Sequence, residues 1–418
     1  MLIKNIKQLL QCREEKEPSI LKGKAISQLP IIENAWIQLK ADRIQAFGAM
    51  KDCPQAAGEE VIDARGKLVL PTWIDSHTHL VFADSREDEF VMRLKGKKYQ
   101  EIAAAGGGIL NSAKKLQAMD EEELYEMALK RLHQLIQLGS GAIEIKSGYG
   151  LTVDAELKML RIIQRLKKNS PIPVKATFLG AHAFPHEYKE QHQAYIDLII
   201  HEMLPEIAKE GLADYIDVFC EKVAFSAKET EQILKAGIAH GLKAKVHTNQ
   251  FNSMGGIETC LKYDALSVDH LEVLNDTEID LLQTSKTIAT LLPSAPFFLS
   301  DPYQPARKLI DRHLAVALAS DFNPGSSPSG NMNLVVALAC IKLKMTPEEA
   351  INAATLNAAH ALELQDEMGS IGIGKKANLI ISKEIPSYNY LPYAFGSNLI
   401  DQVIINGKPI NAHGNSTN

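Results

Sequence analysis

Residues 74 to 82 read IDSHTHLVF, which places His77 and His79 one residue apart at the end of an apolar run. On a strand, side chains at i and i+2 point the same way, so both imidazoles face one spot. A bound metal answers that arrangement, and so does a polar pair satisfied by backbone or water. Other residues of similar chemistry close other apolar runs. Lys146-Ser-Gly-Tyr149 follows one run, and His182, His247, Asp269-His270 and Asp321 each end another. A single histidine in such a place is commonly structural. Five histidines and an aspartate at matching ends converge on one site, because each needs a partner when buried.

Four of these residues make a ligand set: His77, His79, His247 and Asp321. Imidazole nitrogen and carboxylate oxygen suit Zn²⁺ or Fe better than Mg²⁺ or Ca²⁺. A single metal is expected, because YIDVFCEK offers only Glu221 or Lys222 as a bridge to a second. Such a metal lowers the pKa of bound water from about 15.7 toward about 7. Asp321 is then placed to accept the water's proton and pass it to a leaving nitrogen, with His270 orienting the water or polarising a carbonyl. Asp269 stays open between backing the site and a purely structural role.

Something must hold these ends together. Eight short runs, KLVLPTWIDSH, GAIEIKSGYG, IPVKATFLGAH, YIDVFCE, LKAKVHT, ALSVDH, TIATLLP and LAVALASD, alternate with amphipathic stretches. EEELYEMALKRLHQLIQLG puts Leu124, Ala128, Leu132, Leu135 and Ile136 on one helical face. Ser226 with Glu229 has capping-box spacing, and Thr346 with Pro347 opens a later helix. Alternating β and α elements imply a parallel sheet, and eight units imply an α/β fold, a closed (β/α)8 TIM-like barrel. In that fold, chemistry gathers at the C-terminal ends of the strands, where these residues lie. The first 65 residues read as short strands, with a hairpin at Ala41-Asp42-Arg43, and the tail returns to strands with Gly turns. A small β-sandwich domain built from residues 1–66 and 365–418 is therefore expected beside a barrel of residues 67–364.

Composition narrows the partners. Of 418 residues, 45% are hydrophobic and 23% charged, and the net charge of −6 gives no basic surface for nucleic acid. Lys95 to Lys98 and Lys375-Lys376 read as solvated surface. No apolar run reaches membrane-spanning length, and no signal-peptide pattern precedes the first strand. The five cysteines are scattered without a CxxC pair, which fits a reducing, cytoplasmic setting.

HTHLVFADSRE (77 to 87), AAGGGIL (104 to 110), IEIKSGYGL (143 to 151), FLGAHAFP (178 to 185), YIDVFCE (215 to 221), HTNQF (247 to 251), DHLE (269 to 272) and SDFNPGSSP (320 to 328) resemble the amidohydrolase superfamily of metal-dependent hydrolases. Within it they are similar to the branch that opens an imidazolone ring in histidine degradation. The resemblance spans nearly the whole barrel, in order. It implies hydrolysis of the cyclic C–N amide bond of 4-imidazolone-5-propanoate to N-formimidoyl-L-glutamate. It implies one Zn²⁺ or Fe³⁺ per subunit on His77, His79, His247 and Asp321, and a homodimer. It assigns Arg86, Tyr149 and His182 to the substrate, Gln250 and Ser326 to positions near the ring, and Asn323 and Gly325 to the product.

The residues themselves fit most of these roles. Arg86 offers a planar fork to a carboxylate, although it also reads as an ion pair with Glu87 or Asp88. The turn Asn323-Pro-Gly-Ser326 reads either as backbone N–H groups presented to an anion or as a plain tight turn. Gly106-Gly-Gly108 lacks the βαβ context of a dinucleotide motif and reads as a mobile loop near the site. One departure stands out. HTNQ has Thr248-Asn249 where the family often has Ala-Asp, and Gln250 where some members carry Glu. An amide is no general base, so the proton work falls to Asp321 with His270. The alternatives are another amidohydrolase, a deaminase or cyclic-amide hydrolase acting on a small anionic ring, and a non-catalytic assembly protein of the same fold.

Overall fold

The computed structural model describes residues 1–14, 18–56, 58–97, 101 and 107–410. The chain begins with β1 (Leu2–Leu10), β2 (Ile31–Lys40), β3 (Arg43–Ala49), β4 (Val61–Asp63) and β5 (Lys67–Pro71). β2 and β3 form the hairpin read at Ala41-Asp42, with Ala41 at φ 53 in the turn. The barrel strands follow in chain order: β6 (Trp73–Asp75), β7 (Ser140–Lys146), β8 (Val174–Ala181), β9 (Tyr215–Cys220), β10 (Lys243–Thr248), β11 (Ser267–His270), β12 (Ile288–Leu291) and β13 (Val316–Leu318). Each pairs in parallel with the next. β14 (Leu379–Glu384), β15 (Ile400–Ile405) and β16 (Lys408–Pro409) then return to the first strands in one mixed sheet, ordered β16-β15-β14-β5-β1-β2-β3 with β4 beside β1. Both ends of the chain thus build one sheet, with Ile3, Ile6, Leu9, Ile37, Leu379 and Ile404 in its own apolar core.

KLVLPTWIDSH, read as one strand, is two. β5 pairs with β1 and β14, whereas β6, after a break at Thr72, pairs with β7. Thr72 N–H donates to Asn378 O and Trp73 N–H to Gly139 O, so the chain changes sheets between neighbouring residues. Both halves are apolar, so the pattern carried no sign of the change.

The seam of the barrel lies between β6 and β13, and residues just beyond these strands close it. Thr78 and Phe322 form a parallel bridge. Asp321 N–H donates to His77 O at 3.0 Å, and His79 N–H to Phe322 O at 2.9 Å. The Asp75 carboxylate, buried and with its pKa raised to about 7 by that burial, accepts Ser320 N–H and Oγ–H. Closing the barrel therefore brings the first and last ligand candidates side by side.

Inward-facing residues stack in layers, as barrel geometry requires. Ala142, Tyr215 and Ile288 meet Ala358, Ala359 and Leu362 at the N-terminal ends of the strands. Above them Glu144, Lys146, Asp217, Lys245 and Asp269 form a buried charged layer. The histidines lie above that. Helices cover the outside. Ser226 and Thr346 cap theirs as read, each in a full capping box. Two π-turns, Ile199–Met203 and Ala353–Asn357, interrupt segments read as continuous helix. Lys375 and Lys376 are not simply solvated: Lys375 Nζ donates to Gln365 O and Ser370 Oγ, and Lys376 Nζ to Asp42, fastening the tail to the first hairpin. Gly106, Lys98 and residues 411–418 lie outside the described residues. Gly108, at φ 90, precedes the helix Ile109–Ala118, and its N–H donates to Glu89.

Candidate metal centre

Barrel closure and the pitch of β10 and β11 bring five histidines and Asp321 to one mouth. His77 Nε2 and His79 Nε2 each lie 3.5 Å from Asp321 Oδ1. His79 Nε2 faces His247 Nε2 at 3.3 Å. One ligand atom each from His77, His79 and His247 fall within 4.8 Å of one another, and so do those of His77, His270 and Asp321. The four-residue set is thus assembled from three separated stretches of chain. Asp321 at φ 55 and His270 at φ 90 hold left-handed backbone, a cost of about 1–3 kcal/mol each that a packed scaffold must carry. Such strain concentrates where side chains are aimed rather than merely packed.

The donor atoms fit a metal. His77 Nε2 is buried without a hydrogen-bond partner, and two imidazole nitrogens confront each other across 3.3 Å. Burial, aided by neighbouring cations, holds His77 and His79 well below the usual histidine range, so both are neutral and carry a lone pair. Burial also raises the Asp321 carboxyl. Imidazole lone pairs converging on a carboxylate make a poor stand-alone site, and a bound metal ion satisfies them at once.

The far sides of the His77 and His247 rings are fixed. His77 Nδ1–H donates to Asp269 Oδ2 at 2.7 Å, and His247 Nδ1 lies 2.8 Å from Asp217 Oδ2. Asp217 Oδ1 also accepts the His247 backbone N–H. A carboxylate behind Nδ1 sets the tautomer and leaves Nε2 as the ligand. Asp269 therefore backs the site. Asp217 was missed, although a lone Asp inside the buried run YIDVF was its signal. Burial disfavours charge on His270, but the Glu272 carboxylate beside it outweighs this, and its pKa rises to about 9. Gln304 Nε2 in turn donates to Glu272 at 2.7 Å.

The rim carries the remaining predicted residues. His182 stacks on His79 with ring centroids 5.2 Å apart. Its Nδ1–H donates to Gly148 O at 3.0 Å, which leaves Nε2 toward the mouth, and burial and His247 lower its pKa to about 3. The Tyr149 ring lies 5.5 Å from His182 and 5.9 Å from His79. Its loop is held by Glu156, whose buried carboxylate accepts the N–H groups of Gly148, Gly150 and Leu151. Replacing Glu156 with Ala leaves these donors unsatisfied at about 1–3 kcal/mol apiece. Glu156→Ala is expected to raise KM about tenfold or more and lower Tm at unchanged metal content, as steady-state kinetics and metal analysis would show.

Arg86 pairs with Glu89, through Nε at 2.9 Å and Nη2 at 2.5 Å, rather than with Glu87 or Asp88. Its Nη1 lies where a Gly325 side chain would stand, 2.3 Å from an added Cβ. Gly325→Ala is expected to push Arg86 aside and raise KM by about tenfold, the order of one charge-assisted hydrogen bond, without changing bound metal. Of the two readings open for the Asn323 turn, the geometry is that of the tight turn. Asn323 Oδ1 accepts the N–H groups of both Gly325 and Ser326 at 2.8 Å, so the turn uses its own donors. It aims Ser326 Oγ at Asp321 Oδ2 instead, 3.2 Å away.

Gln250 is half-buried just past β10. The loop that carries it is shaped by Glu221, which accepts the N–H groups of Phe251 and Asn252, so Glu221 holds a loop rather than a metal. Asn249, at φ 57, donates to Val273 O and Glu278, which explains what an amide does at this departure from the family pattern.

Known proteins place this architecture. A sequence model described as "Amidohydrolase family" matches residues 68–410. A protein named imidazolonepropionase from Christiangramia forsetii is 59% identical over 412 residues, covering 98% of this chain and 100% of that one. One of the same name from Flavobacterium johnsoniae is 58% identical (98% and 99% covered), and one from Alkaliphilus oremlandii 42% (99% and 98%). Among solved structures, E. coli guanine deaminase superposes with a TM-score of 0.70 at 16% identity, covering 98% of this chain and 99% of that one, which shows the fold alone. A 5-methylcytosine deaminase from Klebsiella pneumoniae gives 0.71 at 16%, with 97% of each chain covered. By family match and by relatives that align from end to end, the chain belongs to the amidohydrolase family and, within it, sits among the imidazolonepropionases.

Proposed function

We propose that the chain is a hydrolase that opens the cyclic C–N amide bond of 4-imidazolone-5-propanoate with water, giving N-formimidoyl-L-glutamate in histidine degradation. The convergence of His77, His79, His247 and Asp321 at the barrel mouth, with Arg86 and Gly325 beside it, carries the reading. These four residues would hold one Zn²⁺ or Fe³⁺ per subunit. When bound, the metal supplies water acidified toward neutrality and a Lewis acid for the ring carbonyl.

The chain's own groups do the rest. Arg86 takes the propionate carboxylate, and Tyr149 and His182 fix the polar edge of the ring. Burial pushes the Tyr149 phenol up, so it acts as a neutral donor. Asp321 accepts a proton from the attacking water and delivers it to the ring nitrogen as the C–N bond breaks. His270, kept cationic by Glu272, donates to the carbonyl oxygen as it gains charge. Gln250 and Ser326 hydrogen-bond near the ring, and Asn323 with Gly325 flanks the product. No described helix is long and apolar enough to cross a membrane, and a cytoplasmic homodimer fits a metabolic enzyme of this kind.

The intact donor set argues against a non-catalytic assembly role, and relatives at 59% and 58% identity favour the imidazolone over another ring. Loss of the imidazolone absorbance in the presence of metal-replete protein tests the reading. A rate indistinguishable from buffer would remove the substrate assignment.

A further inference from the structure

Beneath the histidines, one ammonium joins both carboxylates that back ligand rings. Lys146 Nζ lies 2.8 Å from Asp217 Oδ2 and 3.7 Å from Asp269 Oδ2. These are the same oxygen atoms that lie 2.8 Å from His247 Nδ1 and 2.7 Å from His77 Nδ1. The backbone of Lys146 adds a third tie, since its N–H donates to Thr78 O, between the two histidines of the HxH pair. A further contact at 2.5 Å to Glu144 Oε1 anchors the ammonium. All of these side chains are buried. Two rings that approach the metal from β6 and β10 are thus linked through a single charge on β7.

Lys245 makes an informative contrast. It is equally buried and also bonds Glu144, but its other partner is Ser76 O. It carries no ion pair to Asp217 or Asp269.

We propose that Lys146 is a positioning residue, which sets the His77 and His247 rings toward the metal by holding Asp269 and Asp217 in place as one unit. The inference rests on the metal centre described above. Without the ammonium, Asp217 and Asp269 lose their shared cation in a dry interior. The two carboxylates then repel each other and at least one turns away, so the ring it backs loses its fixed orientation. A lysine that served folding alone would cost stability without altering the geometry of a bound ion.

Cobalt(II) tests this with the full chain. Wild-type protein, Lys146→Met, Lys146→Arg and Lys245→Met are stripped and titrated with Co²⁺ against a chromophoric chelator. The d–d absorption bands of bound Co²⁺ are recorded, and folding is followed by circular dichroism. Lys146→Met is expected to lose about 10–100-fold in Co²⁺ affinity and to shift the bands, the scale known for partners behind a ligand. Lys146→Arg, which keeps a cation between the carboxylates, recovers part of both. Lys245→Met stays within about twofold of wild type in affinity, with the wild-type spectrum. If Lys146→Met does not fold, Lys146→Arg still reports through altered bands against an unaltered Lys245→Met. Wild-type affinity and bands in the folded Lys146 variants would overturn the proposal, as would an equal loss in Lys245→Met. A wild-type chain that binds no Co²⁺ would overturn the metal centre itself, and this inference with it.

Discussion

Asp321→Asn is expected to leave a folded protein whose kcat is lower by about 10³-fold or more. Two roles fail together. The carboxylate oxygen 3.5 Å from both His77 Nε2 and His79 Nε2 becomes part of a neutral amide, which weakens the metal's hold. The amide also cannot carry a proton from water to the leaving nitrogen, a function worth about 10²–10⁴ by itself. The fold should survive for a specific reason. Asp321 sits at φ 55, and Asn tolerates that left-handed conformation better than most residues. The backbone bond from Asp321 N–H to His77 O does not depend on the side chain, so the seam stays closed. Steady-state kinetics with a thermal melt checks both halves. Turnover within tenfold of wild type would show that another group moves the proton.

Removal of the metal is expected to abolish turnover, lower Tm, and be reversed by Zn²⁺ or Fe. His77 Nε2 has no hydrogen-bond partner among the described residues, and burial raises the Asp321 carboxyl, so both depend on the metal to be fully satisfied. Any ligand that binds only the folded chain stabilises it by RT ln(1 + [L]/Kd), about 4 kcal/mol at a thousandfold excess over Kd. Chelation should therefore cost stability as well as activity. His79→Ala should mimic it, because His79 faces both His247 and Asp321. Its loss of metal affinity should exceed the roughly 10–100-fold expected for an outer partner such as Asp217. Metal analysis and melts with and without chelator measure these effects.

The convergence of these residues was legible because several histidines at strand ends stand out together, and because the barrel sends every such end to one mouth. Helix caps were legible for a similar reason: Ser226 with Glu229 and Thr346 with Glu349 act through local spacing alone. The charged layer was less visible, yet it had a signal. AIEIK, YIDVF and KAKVH put charge at alternate positions of buried strands, where only a paired network can be tolerated. Glu156 and Glu272 were hidden because their partners are set by loop conformation, which spacing does not record. The Asn323 turn shows the limit most clearly. Its composition permits both an anion nest and a self-satisfied turn, and the direction of one side-chain oxygen decides between them. The split of the first run into β5 and β6 was equally silent, since both sheets demand apolar residues there.

One metal, held by His77, His79, His247 and Asp321, is expected to enable opening of the imidazolone ring. Titration of stripped protein with Zn²⁺ or Fe, read as the rate of imidazolone absorbance loss, tests it most directly. The rate should rise in proportion to metal and level off at one equivalent per chain, with no rise in Asp321→Asn. Undiminished turnover in the stripped protein, or a plateau only at two equivalents, would contradict it.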